Sequence, residues 1–364
     1  MQWSITIGRI AGTAVRIHLT FLIFLLWIGI SDYAAGGTAA AWSSIVFIVL
    51  IFACVLAHEF GHILTGRAFG VNTPDVTLLP IGGVANMERI PEDPRQELLI
   101  AIAGPMVNVV IAAALILAGR LALADLGTAD LEKASLLQRL AVTNLALVLF
   151  NLVPAFPMDG GRVLRALLAM RLGLRRATQI AAKLGQAFAF LFVVVGLFVN
   201  PMLIFVGLFI YIAAVAEQQA SDFRWFAHDL KVGQGMERTT STLAATATLA
   251  DAVDALLATA QPDFAVVGAD GRPVGLLDRG DLLASLKQQT GEALVTSVMR
   301  EPVLTRETVS LEEAVMEMNR LGLKALIVVD AGGRPTGLLT RENVAEMMTI
   351  HAARPDWRFR RTVA

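Results

Sequence analysis

Residues 42–70 read WSSIVFIVLIFACVLAHEFGHILTGRAFG. From Trp42 to Ala57 the run carries no charge; His58, Glu59 and His62 then follow within little more than one helical turn. An apolar run of this length predicts a helix able to cross a bilayer, which takes about 20 residues. Ionisable groups inside such a helix are costly to desolvate and mark a functional site by default. Residues four apart share a helix face, so His58 and His62 can grip one metal ion, with zinc the default for such a pair. Glu59, beside the first ligand, stands where a general base belongs. The competing reading is a chance HExxH, of the kind found on soluble surface helices.

Composition fits a membrane chain. Of 364 residues, 55% are hydrophobic and 17% charged, too apolar for a soluble protein of this size. The length predicts more than one domain. A net charge of -1 implies no nucleic-acid partner. The single Cys54 excludes an internal disulfide framework and any zinc site built on several thiolates. It reads as a buried small hydrophobe. The stretch MQWSITIGRIAGTAVRIHLTF lacks a short apolar core followed by a small-residue cleavage site, so no cleavable signal peptide is expected.

Six runs are candidate spans: Ile17–Ile30, Trp42–Thr65, Leu98–Ala118, Leu140–Val153, Ala177–Val199 and Pro201–Ala216. Basic residues mark the cytoplasmic side. Arg9 and Arg16 precede the first run; Arg67, Arg89 and Arg95 lie between the second and third. Arg162, Arg165, Arg171, Arg175 and Arg176 lie between the fourth and fifth. The opposite side is poorer, although the loop after the third run carries Arg120, Lys133 and Arg139 beside Asp125, Asp130 and Glu132. Six spans then place both termini in the cytoplasm. His58 follows Trp42 by roughly 24 Å of helix at 1.5 Å per residue, which sets the metal nearer the cytoplasmic face.

Catalytic zinc takes three protein ligands and leaves one position open. His18 reads as a membrane-interface residue, and His228 and His351 fall in the later, soluble part. A carboxylate at matching depth is available in NLVPAFPMDGGRVLRALLAM, residues 151–170. Pro154 and Pro157 break the helix, and Gly160 and Gly161 permit a tight turn. Irregular backbone at membrane depth is tolerated where it is buried in protein or lines a wet cavity. Asp159 at such a break reads as the third ligand; the alternative is an N-cap for a helix starting at Gly160.

HEFGH in one span and NLVPAFPMDGGR in a later one resemble the site-2 protease family of intramembrane zinc metalloproteases. That pattern has Asn151, Pro154, Pro157, Asp159 and Gly160 in its characteristic places. The resemblance covers about residues 1–220. It implies one zinc per chain held by His58, His62 and Asp159, with Glu59 as the base. It also implies Asn151 as the group that stabilises the oxyanion or holds substrate. AGPMVN, residues 103–108, resembles a family element in the span after HEFGH, with Asn108 read as a helix–helix hydrogen-bonding group. Substrates would be membrane-spanning or membrane-anchored proteins; in bacteria the family often acts on anti-sigma factors and membrane-tethered regulators. A helical substrate must unwind before cleavage, and an extended one can add to a strand edge. SITIGRIAGTAVRIHL reads as a hairpin turning at Ala11-Gly12-Thr13, and VTLLPIGGVANMERI (76–90) offers a second edge. Gly82 and Gly83 allow close backbone approach there. Either segment can instead be a structural cap.

After Ser221 the sequence becomes ordinary soluble sequence and repeats itself. FAVVGADGRPVGLLDRGDLLASL (264–286) aligns with LIVVDAGGRPTGLLTRENVAEMM (326–348), each reading strand, turn, strand, helix. The repeats resemble a tandem pair of cystathionine β-synthase (CBS) domains, which often bind an adenosine nucleotide and often dimerise. The family's ribose-holding motif is incomplete in both copies, leaving Asp281 in the first and Thr340 in the second. The expected fold is a polytopic α-helical membrane protein with six transmembrane helices, small β elements at the N-terminus and in 76–90, and a cytoplasmic α/β CBS pair. Expected boundaries are 1–220 for the protease domain, 221–235 for a linker, 236–290 and 291–350 for the CBS domains, and 351–364 for a tail. The rival function is a CBS-regulated metal-ion transporter or channel. A metal path needs successive sites across the bilayer, yet Phe188 to Ala216 carries no charged side chain.

Overall fold

The computed structural model describes residues 3–87, 93–120, 134–259, 261–354 and 356–359. Arg89, the end of the 76–90 segment, and the loop residues Asp125, Asp130, Glu132 and Lys133 lie outside the described residues, as does part of the tail. The chain divides into two compact units, Met1–Ser221 and Asp222–Ala364.

The first unit opens with a hairpin, β1 (Ser4–Ile10) and β2 (Thr13–His18), turning through Ala11 and Gly12 at φ 47° and 82°. Helix α1 (Leu19–Ala68) follows, then β3 (Asp75–Leu79), β4 (Gly82–Ala85), α2 (Pro94–Gly119), α3 (Leu136–Asn151), α4 (Asp159–Leu172), α5 (Leu174–Phe198) and α6 (Met202–Ala227). The second apolar run falls inside α1, and so does the first from Leu19 onward; its expected start at Ile17 lies in β2 instead, with His18 as the helix N-cap. It is not one rod, because Gly37 leaves helical geometry at φ 73°, ψ -164°. Phe21 and Phe52 meet as a tilted ring pair with centroids 4.4 Å apart, whereas a straight helix would separate them by about 46 Å. The chain therefore doubles back at a residue that tolerates positive φ. Helices α1, α2, α5 and α6 are long and apolar enough to cross a membrane; α3 is apolar but has 16 residues.

The sheet runs β1-β2-β3-β4, with β2 parallel to β3 and the outer pairs antiparallel. Val15 of β2 and Val76 of β3 pack on Ile63 of α1. Arg67, near the end of α1, donates to the Ala11 carbonyl and to Thr13 Oγ1 (2.9 Å). These contacts lock the sheet to the helix segment that carries HEFGH.

The second unit repeats one pattern at an offset of 62 residues. A short helix, α7 (Val232–Gly235), leads to β5 (Thr242–Ala244), α8 (Leu249–Thr259), β6 (Asp263–Val267), β7 (Pro273–Asp278) and α9 (Arg279–Ser285). The second copy is β8 (Leu304–Arg306), α10 (Leu311–Leu321), β9 (Ala325–Val329), β10 (Pro335–Thr340) and α11 (Arg341–Ala353). Each sheet has three strands, β5-β6-β7 and β10-β9-β8. The copies exchange their leading segments. Val232 and Met236 pack with Leu311, Leu326 and Leu339 of the second copy, while Val295 packs with Phe264 and Leu277 of the first. The stretch expected as a linker is thus helical in α7 and buried at Val232, Gly233 and Gly235. Sequence similarity could not show this, because the exchange appears only in packing.

Candidate active site

Three helices converge on the HEFGH turn of α1. Gly61 faces α2 so closely that a Cβ there would lie 2.7 Å from the Ala103 carbonyl oxygen and 2.9 Å from Val107. Gly104 of α2 lies against the two rings, and an added Cβ would collide with His62 and sit 2.7 Å from His58 Nε2. These two glycines bring the helix backbones together at the histidines.

The stretch after α3 is irregular, with a cis Phe156–Pro157 bond, and folds over the start of α4. Side chains at Gly160 and Gly161 would strike the backbone of residues 152–156. Asp159 is not the N-cap: Met158 holds that position without a side-chain capping bond. The Asp159 carboxylate points instead at the histidines, with Oδ2 3.1 Å from His58 Nε2 and 3.2 Å from His62 Nε2. The two Nε2 atoms are 3.1 Å apart, and all three residues are buried.

This triangle fits a tetrahedral ion. Bonds of about 2.0–2.2 Å place tetrahedral ligand atoms about 3.3–3.6 Å apart, so edges of 3.1–3.2 Å need to open only by a few tenths of an ångström. Both Nδ1 atoms are already engaged. His62 Nδ1 lies 2.7 Å from the Ile100 carbonyl, which can only accept, so that nitrogen carries the proton and Nε2 has a free lone pair. His58 Nδ1 lies 2.5 Å from Asn108 Oδ1, and Asn108 Nδ2 donates to Asn144 Oδ1 at 2.7 Å. Partners of this kind fix the tautomer and ring orientation of metal-binding histidines.

Glu59 sits beside this centre and against β4. A Cβ at Gly83 would lie 2.7 Å from Glu59 Cγ and 3.1 Å from Oε1. Gly82 has φ 136°, a conformation natural to glycine. In the described sheet β4 is an end strand, paired only on its β3 side. Strand β1 is the other end, so of the two expected edges it is β4 that adjoins Glu59. Asn151 ends α3 and is partly buried; the polar contacts that reach His58 run through Asn108 and Asn144 instead. Asn144 was not singled out from sequence, since a lone Asn in an apolar helix carries no spacing signal.

In the second unit Asp281 is tied to Arg300, with Nε and Nη2 at 2.5 and 2.8 Å. Thr340 and Asn343 form a capping box at the start of α11. The two expected ribose-holding positions thus lie at equivalent helix starts.

A buried His-His-Asp triangle beside a glutamate has the donor set and neighbouring base that a metallohydrolase uses. The chain belongs to peptidase family M50, the site-2 protease family, and is a metalloprotease. The family model matches residues 46–124 and 115–195, and the CBS domain model matches 232–288 and 295–349. A zinc metalloprotease of Methanocaldococcus jannaschii is 31% identical over 352 residues, covering 96% of this chain and 97% of that one. Stage IV sporulation protein FB of Bacillus subtilis is 28% identical over 168 residues, 46% of this chain and 56% of that one. Among solved structures, the site-2 protease from Methanocaldococcus jannaschii is 36% identical, covers 59% of this chain and 95% of that chain, and has a TM-score of 0.46.

Proposed function

We propose that the protein is an intramembrane zinc metalloprotease that cleaves membrane-spanning or membrane-anchored proteins, with His58, His62 and Asp159 as its metal ligands. The observation that carries this reading is the triangle of Nε2, Nε2 and Oδ2 atoms beside Glu59. Bound zinc supplies Lewis-acid polarisation of the scissile carbonyl and makes water a nucleophile at neutral pH. Asn108 and Ile100 hold the two rings with Nε2 inward. Glu59 takes the proton of the attacking water and returns it to the leaving amine. Asn151 stabilises the oxyanion or holds substrate. The substrate lies extended along the free edge of β4, where Gly82 and Gly83 let its backbone approach Glu59.

The membrane unit crosses the cell membrane six times, with both halves of α1, then α2, α3, α5 and α6 as spans. Both termini and the CBS pair face the cytoplasm, following the arginines between the fourth and fifth runs. The CBS pair regulates cleavage and supports a homodimer. Asp281 and Thr340 would contact an adenosine nucleotide; titration of ATP, ADP and AMP tests this, and absence of heat with all three removes it.

The deciding experiment is cleavage of a single-span substrate in detergent by wild type and by Glu59→Gln, with zinc quantified in both. Cleavage by wild type alone, with about one zinc in each protein, supports the mechanism. Zinc binding without cleavage of any substrate in a panel favours the metal-transport reading.

A further inference from the structure

The first unit holds a second buried polar cluster, which the chemistry above does not use. Arg165 of α4 is the largest fully buried side chain among the described residues, at 1% exposure. Its Nε donates to Glu97 Oε1 of α2 at 2.7 Å, Nη2 donates to the same oxygen, and Nη1 donates to Glu217 Oε1 of α6 at 2.7 Å. Its guanidinium also lies over the Phe156 ring, 5.1 Å from the centroid. Phe156 belongs to the irregular stretch immediately before Asp159.

Each partner sits close to a residue that shapes the metal centre. Arg165 is on the helix that Asp159 begins, less than two turns away. Glu97 is one turn before Ile100, whose carbonyl holds His62, and the same helix carries Gly104 and Asn108. The ion pair therefore joins the helix that supplies the carboxylate to the helix that orients both imidazoles. Stability is a weak reason for keeping it. Buried ion pairs often gain little over apolar packing, and here Glu97 Oε2 is buried without a hydrogen-bond partner. What a planar fork bonded in two directions supplies is a fixed relative position.

We propose that Arg165, clamped between Glu97 and Glu217, is a positioning residue that sets where Asp159 stands relative to His58 and His62. The proposal rests on the ligand assignment above. The test uses the full-length chain in detergent and replaces the whole clamp with apolar side chains, Glu97→Leu, Arg165→Met and Glu217→Leu together, so that neither Arg165 nor Glu97 is left as an unpaired buried charge. Zinc affinity is read by chelator competition, folding by thermal unfolding, and geometry by the visible spectrum of the cobalt-loaded protein. The expected result is near-native unfolding with zinc affinity down about 10- to 100-fold and a changed cobalt spectrum. Arg165→Lys is expected to fold without restoring either metal readout, because an ammonium cannot reproduce the fork. A folded triple variant with native affinity and spectrum overturns the proposal. Should the triple variant not fold, Glu217→Leu alone decides, since it cuts the more exposed arm and leaves the Glu97 pair. A changed cobalt spectrum supports the clamp, and an unchanged one overturns it. Asp159→Asn separates the two ideas. If it leaves zinc binding intact, the ligand assignment fails; if it abolishes binding while the folded clamp variants bind normally, only the clamp fails.

Discussion

Asn108 is the residue through which the metal centre is most open to a graded test. It is fully buried, accepts from His58 Nδ1 at 2.5 Å and donates to Asn144 Oδ1 at 2.7 Å. Asn108→Leu removes both bonds and keeps the branched heavy-atom outline, although its methyl groups are bulkier than the amide. Hydrogen bonds between membrane helices contribute about 0.6 to 1.7 kcal/mol each, so the two together are worth about 1 to 3 kcal/mol. Loss of the partner that orients a metal-binding histidine costs about 10- to 100-fold in metal affinity, or about 1.4 to 2.7 kcal/mol. The two effects are alike in size, so a fall in activity alone would not separate them. Asn108→Asp does. Its carboxylate still accepts from His58 Nδ1 but cannot donate to Asn144, whose own amide already serves the Leu140 carbonyl at 2.9 Å. The Asp variant should bind zinc near the wild-type level, well above Asn108→Leu, while remaining less stable than wild type. Chelator competition and thermal unfolding in detergent measure the two quantities. If Asn108→Leu keeps zinc affinity within about two-fold of wild type, the ring orientation does not depend on this bond and the reasoning fails.

Other substitutions probe the surroundings of the site. Gly104→Ala puts a methyl group into both rings, so the protein should emerge with well under one zinc per chain by elemental analysis, even where it folds. Gly83→Val drives a side chain into Glu59 and the edge of β4; cleavage should fall at least about ten-fold with zinc content unchanged, and unaffected cleavage would remove β4 from substrate binding. In the second unit Asp263 is 3% exposed, and burial, with Asp278 opposite it and Glu342 nearby, pushes its carboxyl up to about 6 despite Lys324. A carboxyl raised on folding binds more protons in the native state, so stability falls as pH rises from its unfolded value near 3.9 through 6 and then levels off. Asp263→Asn should abolish that fall and slow hydrogen exchange in β6 and β7 at pH 7.5, consistent with about 1–3 kcal/mol of relief; unchanged exchange would show that the charge is not strained there.

How much of this was legible in the sequence follows from how far apart the interacting residues are. HEFGH states its own geometry, because four residues on a helix bring His58 and His62 to one face. Asp159 could be found because Pro154, Pro157 and Gly160 announce a break in an apolar segment. The repeats declare themselves by their regular offset, and β5, α8, β6, β7 and α9 recur as β8, α10, β9, β10 and α11. What stayed hidden depends on contacts between distant segments. Asn144 has no neighbours in sequence that explain it; its role exists only because α3 lies beside α2. Glu97, Arg165 and Glu217 look like ordinary charges near helix ends, and Arg165 even counts as evidence for a cytoplasmic loop under the positive-inside rule. The structure buries it instead. A turn between the first two candidate spans was legible, but that it is made at Gly37, with helix on both sides almost up to it, is seen only in the structure.

The two buried clusters also make sense together as a problem in charge balance. If a dication is bound as proposed, the Asp159 carboxylate offsets part of its charge while both imidazoles coordinate as neutral rings, their Nδ1 protons donated to the Ile100 and Asn108 oxygens. In the clamp Arg165 and Glu97 form the dry pair, with side chains 2% and 4% exposed, and Glu217 completes it from a side chain that is 27% exposed. Opposite charges thus sit together where the side chains are driest, as they must where desolvating an unpaired ion costs several kcal/mol. The two clusters share two helices. Their coupling is mechanical, through α2 and α4, which is why the apolar replacement of the clamp is the variant able to disturb the position of Asp159 without disturbing its charge.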